Sequence, residues 1–144
     1  MISPLDGPRQ FRILVVDDEK NICDLLKVAL EQIGCEVETT TEGAQAIGWA
    51  HQNKYDAIFL DIKMPGMNGV EVLKNLRQVQ PNAAFVMITG YAGSDLVDES
   101  LSSGAFVCLS KPFGISQVQD IIRTLYETTP TDDADVEVAE VKIG

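Results

Sequence analysis

The stretch AIFLDIKMPGMNG, residues 57–69, decides how the rest of the chain is read. Ala57 to Leu60 is a short apolar run without polar alternation, the pattern of a strand covered on both faces, as in a parallel sheet. It ends at Asp61, and the Pro and two Gly of KMPGMNG then mark a sharp turn. A carboxylate at the carboxyl end of a buried strand stands on the rim where open α/β sheets bind their ligands.

Outward from that strand, the same alternation recurs on both sides. Arg12 to Val16 is a β-branched-rich run bounded by Asp17, Asp18 and Glu19. From Asn21, the residues Ile22, Leu25, Leu26, Ala29, Leu30 and Ile33 recur at helical spacing, with Gly34 where a helix stops. Cys35 to Thr40 alternates as an edge strand does, and Glu42 to Gln52 reads as a weaker helix around Ala46, Ile47 and Ala50. Beyond the turn, Val70, Leu73, Leu76 and Val79 mark a helix closed by Pro81 and Asn82. Ala84 to Ile88 is a continuous apolar strand that ends in Thr89 and Gly90. Ser94 to Ser103 is the least apolar helix, with Leu96, Val97 and Leu101 as its large anchors, and is expected to be the most mobile. Phe106 to Leu109 forms a fifth strand before Ser110, Lys111 and Pro112, and Ile115, Val118, Ile121, Ile122 and Leu125 give the last helix its buried face.

Five strands alternating with helices, at crossover lengths suited to βαβ units, predict a parallel sheet with helices on both faces. The strands of such a sheet point the same way, so the carboxyl ends of the first, third, fourth and fifth lie together. That rim carries Asp17, Asp18, Asp61, Thr89 and Lys111.

Composition narrows the function. A net charge of -11 argues against a chain that grips nucleic acid by itself, because phosphate contacts need clustered Lys and Arg. No apolar run approaches the ~20 residues that cross a bilayer, and the amino end lacks the pattern of a signal peptide, so a cytoplasmic location is expected with no membrane contact. Cys23, Cys35 and Cys108 show no metal or disulfide spacing and read as reduced thiols. Residues 1–10 read as a disordered lead, residues 11–127 as one domain, and residues 128–144 as an acidic linker or tail. His51 has no companion ligand and reads as an ordinary surface residue; Trp49 and Cys23 read as helix packing.

Three carboxylates on one rim repel one another unless a cation lies between them. A hard divalent ion with oxygen ligands, Mg2+ above all, fits Asp17, Asp18 and Asp61, with the main-chain carbonyl of Lys63 as a further ligand. A carboxylate is also a nucleophile able to form an acyl phosphate when metal and cation neutralise the incoming group. Asp61 is the candidate acceptor, Lys111 the cation, and Thr89 a hydroxyl donor to a phosphate oxygen.

LVVDDE with Asp17 and Asp18, LDIKMPGMNG with Asp61, MITG with Thr89, and SKPF with Lys111 together resemble the receiver domain of two-component response regulators. The match runs from about Phe11 to Tyr126, with the four motifs in order. The resemblance implies a flavodoxin-like doubly wound five-stranded parallel sheet of strand order 2-1-3-4-5, and transfer of a phosphoryl group onto Asp61 from a sensor histidine kinase or phosphotransfer protein. It implies Mg2+ held by Asp18 directly and by Asp17 partly through water. It also implies a cis bond between Lys111 and Pro112, self-catalysed loss of the phosphoryl group, and a response on the protein-binding face of the fourth helix, fifth strand and fifth helix. That face would serve a downstream output protein or a missing C-terminal effector domain, and a homodimer through the fourth and fifth helices is compatible with it.

One position departs from the family pattern. Receivers usually carry Tyr or Phe three residues before the Lys, as a ring that turns inward; here the residue is Cys108. Phe106 lies on the same side of an alternating strand, and Lys63 and Tyr91 flank the site. Two other readings follow: a receiver-like binding module that is never phosphorylated, favoured by Cys108, or a small Mg2+-dependent phosphohydrolase acting through Asp61. The second lacks an acid two residues after the nucleophile, where Lys63 stands.

Overall fold

The computed structural model describes residues 10–90 and 95–128. Residues 1–9 of the expected lead, residues 129–144 of the expected acidic tail, and Tyr91 lie outside the described residues, while Thr128, expected to open the tail, closes the last helix.

Twelve elements follow in the order β1 (Arg12–Val16), α1 (Lys20–Glu31), β2 (Glu36–Thr40), α2 (Gly43–Gln52), β3 (Ala57–Asp61), β4 (Lys63–Met64), β5 (Met67–Asn68), α3 (Gly69–Val79), β6 (Ala84–Thr89), α4 (Asp95–Ser102), β7 (Val107–Ser110) and α5 (Ile115–Thr128). The main sheet runs β2-β1-β3-β6-β7, parallel throughout, while β4 and β5 form a separate two-residue antiparallel hairpin. With the hairpin set aside, this is the expected 2-1-3-4-5 order.

Two apolar layers sandwich the sheet because side chains alternate between its faces. On one face Ile13, Val15, Phe59, Val86 and Ile88 pack under α1 and α5, which supply Leu26, Leu30, Val118 and Ile122. On the other, Leu14, Val16, Ile58, Leu60 and Met87 pack under α2 and α3, which supply Ala46, Ala50, Leu73 and Leu76. Each fully buried side chain of this kind contributes about 1.5–3 kcal/mol relative to exposure. That burial gives the rim a stiff base.

The elements carry their own stops and starts. Gly34 adopts φ 95 beyond α1, a conformation that costs glycine little. Asn68 caps α3 by accepting a hydrogen bond at its side-chain oxygen from the Val70 amide, 2.8 Å away. Gln80 joins α2 to α3: its amide nitrogen donates to the Ala50 carbonyl, and its oxygen accepts from the Tyr55 amide.

Two expected helix faces hold in the main, with one anchor of each turned outward. In α4 the fully buried residue is Ser100, while Leu101 is 44% exposed. The helix turns its Leu96, Val97 and Ser100 side inward, and the small Ser100 sits at its closest approach to the core. In α5 Ile115 is 37% exposed, and Gln119 is buried on the inner face. The Gln119 amide donates to the Ala29 carbonyl and to Gln32 Oε1, so α5 is fastened to α1 by a polar bond as well as by packing.

Candidate phosphoryl and metal site

The sheet order reverses direction at β1 and β3, and there the carboxyl ends of these two strands open a crevice. Asp61 closes β3 and Asp17 follows β1 by one residue. Main-chain bonds between neighbouring strands continue into the rim. The Asp17 amide donates to the Thr40 carbonyl (3.2 Å), the Ile62 amide to the Ile88 carbonyl (2.9 Å), and the Lys111 amide to the Thr89 carbonyl (2.7 Å). The ladder therefore continues past the last residue of each strand and fixes where the side chains start.

Carboxylate oxygens of Asp17, Asp18 and Asp61 lie within 4.8 Å of one another. Asp17 and Asp61 are buried, at 0% and 4% exposure, while Asp18 faces solvent. Asp17 Oδ1 accepts from the Glu19 amide (2.9 Å) and Asp61 Oδ1 from the Lys63 amide (3.1 Å). Lys111 Nζ stands 3.4 Å from Asp17 Oδ2, 3.6 Å from Asp61 Oδ2 and 2.6 Å from Glu19 Oε1. The bond between Lys111 and Pro112 is cis, as the resemblance implied.

Burial, and then the charge of Asp17, push the Asp61 carboxyl up to about 7. Asp17 is likewise raised, chiefly by burial. For Lys111, burial works against the charged form, but the Glu19 hydrogen bond and the charges of Asp17 and Asp61 outweigh it, and the ammonium is held more firmly protonated than usual. Three acids thus face Lys111, and two of them, Asp17 and Asp61, are out of water.

A divalent cation fits this arrangement. Among the described residues, Asp17 Oδ2 is a buried oxygen with no hydrogen-bond partner, and the Lys111 ammonium stands 3.4 Å from it. Such an oxygen is costly unless something positive meets it. Three hard oxygen donors close together, one of them open to solvent, suit an ion that keeps several waters.

The turn after β3 is shaped for this rim. Gly66 takes φ 75 at the tip of the hairpin, and Gly69 lies so near the carbonyls of Asp61 and Ile62 that a side-chain carbon would overlap them. Cys23 is a further supporting residue, because its thiol donates to the Asp17 carbonyl (3.3 Å). Burial and the charge of Asp17 push that thiol up to about 11.

Of the residues expected at the rim, Asp17, Asp18, Asp61 and Lys111 meet directly. Thr89 is buried at the end of β6, next to the Lys111 backbone; Lys63 is exposed and meets Asp61 through its amide. His51 is exposed, and Trp49 is partly buried against α2's core layer. Cys108 pairs with Met87 across β6 and β7 and packs partly against the layer under α2 and α3. Phe106 is 48% exposed, so it does not fill the interior beside Cys108. Sequence reasoning passed over Glu19 and gave Cys23 a packing role only. The run DDE held a signal for Glu19, but its partner is 92 positions away.

Comparison with known proteins agrees with this geometry. The family model described as "Response regulator receiver domain" matches residues 13–123. The chain is 32% identical to sporulation initiation phosphotransferase F of Bacillus subtilis (strain 168) over 112 residues, covering 78% of this chain and 90% of that one. It is 34% identical to the transcriptional regulatory protein ZraR of Klebsiella oxytoca, over 76% of this chain and 25% of the relative. It also spans 24% of the regulatory protein AtoC of Escherichia coli (strain K12), so these two relatives are about four times the length of the matched part. Among solved structures, a CheY-like response regulator receiver domain protein from Methanospirillum hungatei JF-1 superposes with a TM-score of 0.76 at 32% identity, covering 83% of this chain and 96% of that one.

Proposed function

Because the chain belongs to the response regulator receiver domain family, we propose that Asp61 accepts a phosphoryl group from the phosphohistidine of a sensor histidine kinase or phosphotransfer protein. The fold is that of a signalling module and not of a turnover enzyme. What carries the reading is the convergence of three carboxylates within 4.8 Å, with Lys111 Nζ 3.6 Å from Asp61 at the end of β3.

In the forward step a carboxylate oxygen of Asp61 attacks phosphorus, a P–O bond forms, and the P–N bond of the donor breaks. The leaving imidazole nitrogen keeps the electron pair and takes a proton. Attack by water on the same phosphorus later releases inorganic phosphate and restores the carboxylate. Asp17, Asp18, Asp61 and the Lys63 carbonyl would hold Mg2+, which when bound supplies positive charge to the transferring oxygens. Lys111 supplies a second positive charge and Thr89 a hydroxyl donor. Burial and the charge of Asp17 raise the pKa of Asp61 to about 7, and a divalent cation bound beside it would favour the ionised, nucleophilic carboxylate.

The output proposed is a change on the face made by α4, β7 and α5, read by a downstream protein or by an attached effector domain. A relative that this chain matches over 90% of its length is named a phosphotransferase, which supports the donor class. The test is the intact mass of the protein after incubation with acetyl phosphate and magnesium, with and without EDTA. The expected result is a metal-dependent gain of one phosphoryl group, absent in Asp61→Asn. Labelling of that variant would remove Asp61 from its role, and no gain in the wild type would favour a constitutive binding module.

A further inference from the structure

The shortest contact of Lys111 Nζ is not with either buried aspartate but with Glu19. Glu19 Oε1 lies at 2.6 Å, a charge-assisted hydrogen bond, whereas Asp17 and Asp61 stand at 3.4 and 3.6 Å, ion-pair distances without that closeness. The Lys111 side chain is 22% exposed and that of Glu19 56%, so the pair sits at the solvent edge of the crevice. Glu19 serves the rim in two separable ways. Its main-chain amide donates to Asp17 Oδ1, and its side chain holds the lysine.

We propose that the Glu19 side chain is a positioning residue that holds Lys111 at rest and competes with an incoming phosphoryl group for the ammonium. The inference rests on the acceptor reading of Asp61. A phosphoryl group on Asp61 brings anionic oxygens toward the ammonium, and Lys111 must exchange the Glu19 bond for one to them. Whatever the Glu19 bond contributes at rest is subtracted from the stability of the phosphorylated state, because one ammonium cannot give both partners its best geometry. Glu19 thereby lowers the occupancy of the phosphorylated state and shortens the commitment of Lys111 to it.

Pairs this exposed are weak, and the effect to expect is about a two- to fivefold change in an affinity. Removing the carboxylate also removes a negative charge that repels a phosphoryl group directly, and this second effect needs no lysine. A double-mutant cycle separates them. The probe is beryllofluoride, a mimic of the phosphoryl group, titrated at saturating magnesium and followed by the bound 19F signal. The proteins are wild type, Glu19→Gln, Lys111→Ala and the double variant. Glutamine keeps the amide that donates to Asp17 and nearly the same shape.

The expected result is that Glu19→Gln tightens beryllofluoride binding about two- to fivefold with Lys111 present and by less in the Lys111→Ala background. An equal change in both backgrounds assigns the whole effect to direct repulsion and overturns the inference, as does weaker binding in Glu19→Gln. Wild type that takes up no beryllofluoride overturns the acceptor reading and this inference with it. The two failures are distinct.

Discussion

Gly69, the first residue of α3, lies against the carbonyl oxygen of Asp61, closer than any side-chain carbon could stand. The Gly69 amide also donates to the Ile62 carbonyl at 2.7 Å, so the helix starts from the back of the acceptor strand. Gly69→Ala is expected to destabilise the fold by about 1–3 kcal/mol, since the overlapping atoms are backbone and cannot swing aside. Equilibrium unfolding in guanidinium chloride measures it. A variant with an unchanged midpoint would show that the turn yields freely.

Asp61 has a folded-state pKa of about 7 against an ordinary value of 3.8, so the folded protein retains a proton that the unfolded chain gives up. The unfolded state binds fewer protons across that window, and the contribution of Asp61 to stability falls as pH rises from about 4 to 7. In EDTA, Asp61→Asn is expected to be about 1–3 kcal/mol more stable than wild type at pH 7.5 and to lose that advantage near pH 4. Denaturation curves at the two pH values decide it; an advantage that did not change with pH would point away from the buried charge.

Lys111 is the cation that faces Asp17 and Asp61. Its removal in Lys111→Ala leaves two buried carboxylates without it, and a loss of about 2–4 kcal/mol is expected in the absence of metal. Magnesium binds only the folded site and so restores stability by linkage. The rise in melting temperature on adding magnesium is therefore expected to be larger in Lys111→Ala than in wild type. A smaller rise would mean that the lysine helps to hold the metal.

How much of this was legible in the chain differs from residue to residue. Strands β1, β3 and β6 showed in unbroken apolar runs because both faces are covered, and Asp61, Asp17 and Lys111 followed from where those runs and β7 end. The hairpin of Lys63–Met64 with Met67–Asn68 did not show, because two residues per strand carry no alternation. On α4 Leu96 and Val97 pack inward as expected, but Leu101 does not and the buried Ser100 was missed, because its residue type signals exposure. Gln119 in α5 was missed for the same reason; its partners, Ala29 and Gln32, come from the distant α1. The 0% exposure of Asp17 beside the open Asp18 goes with contacts from distant positions, the Thr40 carbonyl and the Lys111 ammonium among them, which neighbouring letters do not encode.

Cys108 lies on β7, within the proposed output face. A tyrosine there would have solvent on one side and the layer containing Met87 on the other, and Cys108→Tyr is expected to cost under about 1 kcal/mol with the ring outward. Amide chemical shifts of α4 and β7 on adding beryllofluoride are expected to change more in this variant than in wild type. Equal changes would show that no ring is needed to carry the response.

The main-chain bond from the Lys111 amide to the Thr89 carbonyl has a consequence for what this protein can become. It belongs to atoms that every residue except proline possesses, so side-chain substitution leaves the pairing of these two strand ends in place. The pairing of the two strand ends is thus kept whatever stands at position 108. Side chains along β7, an edge strand of the sheet, can therefore vary without undoing its pairing to β6.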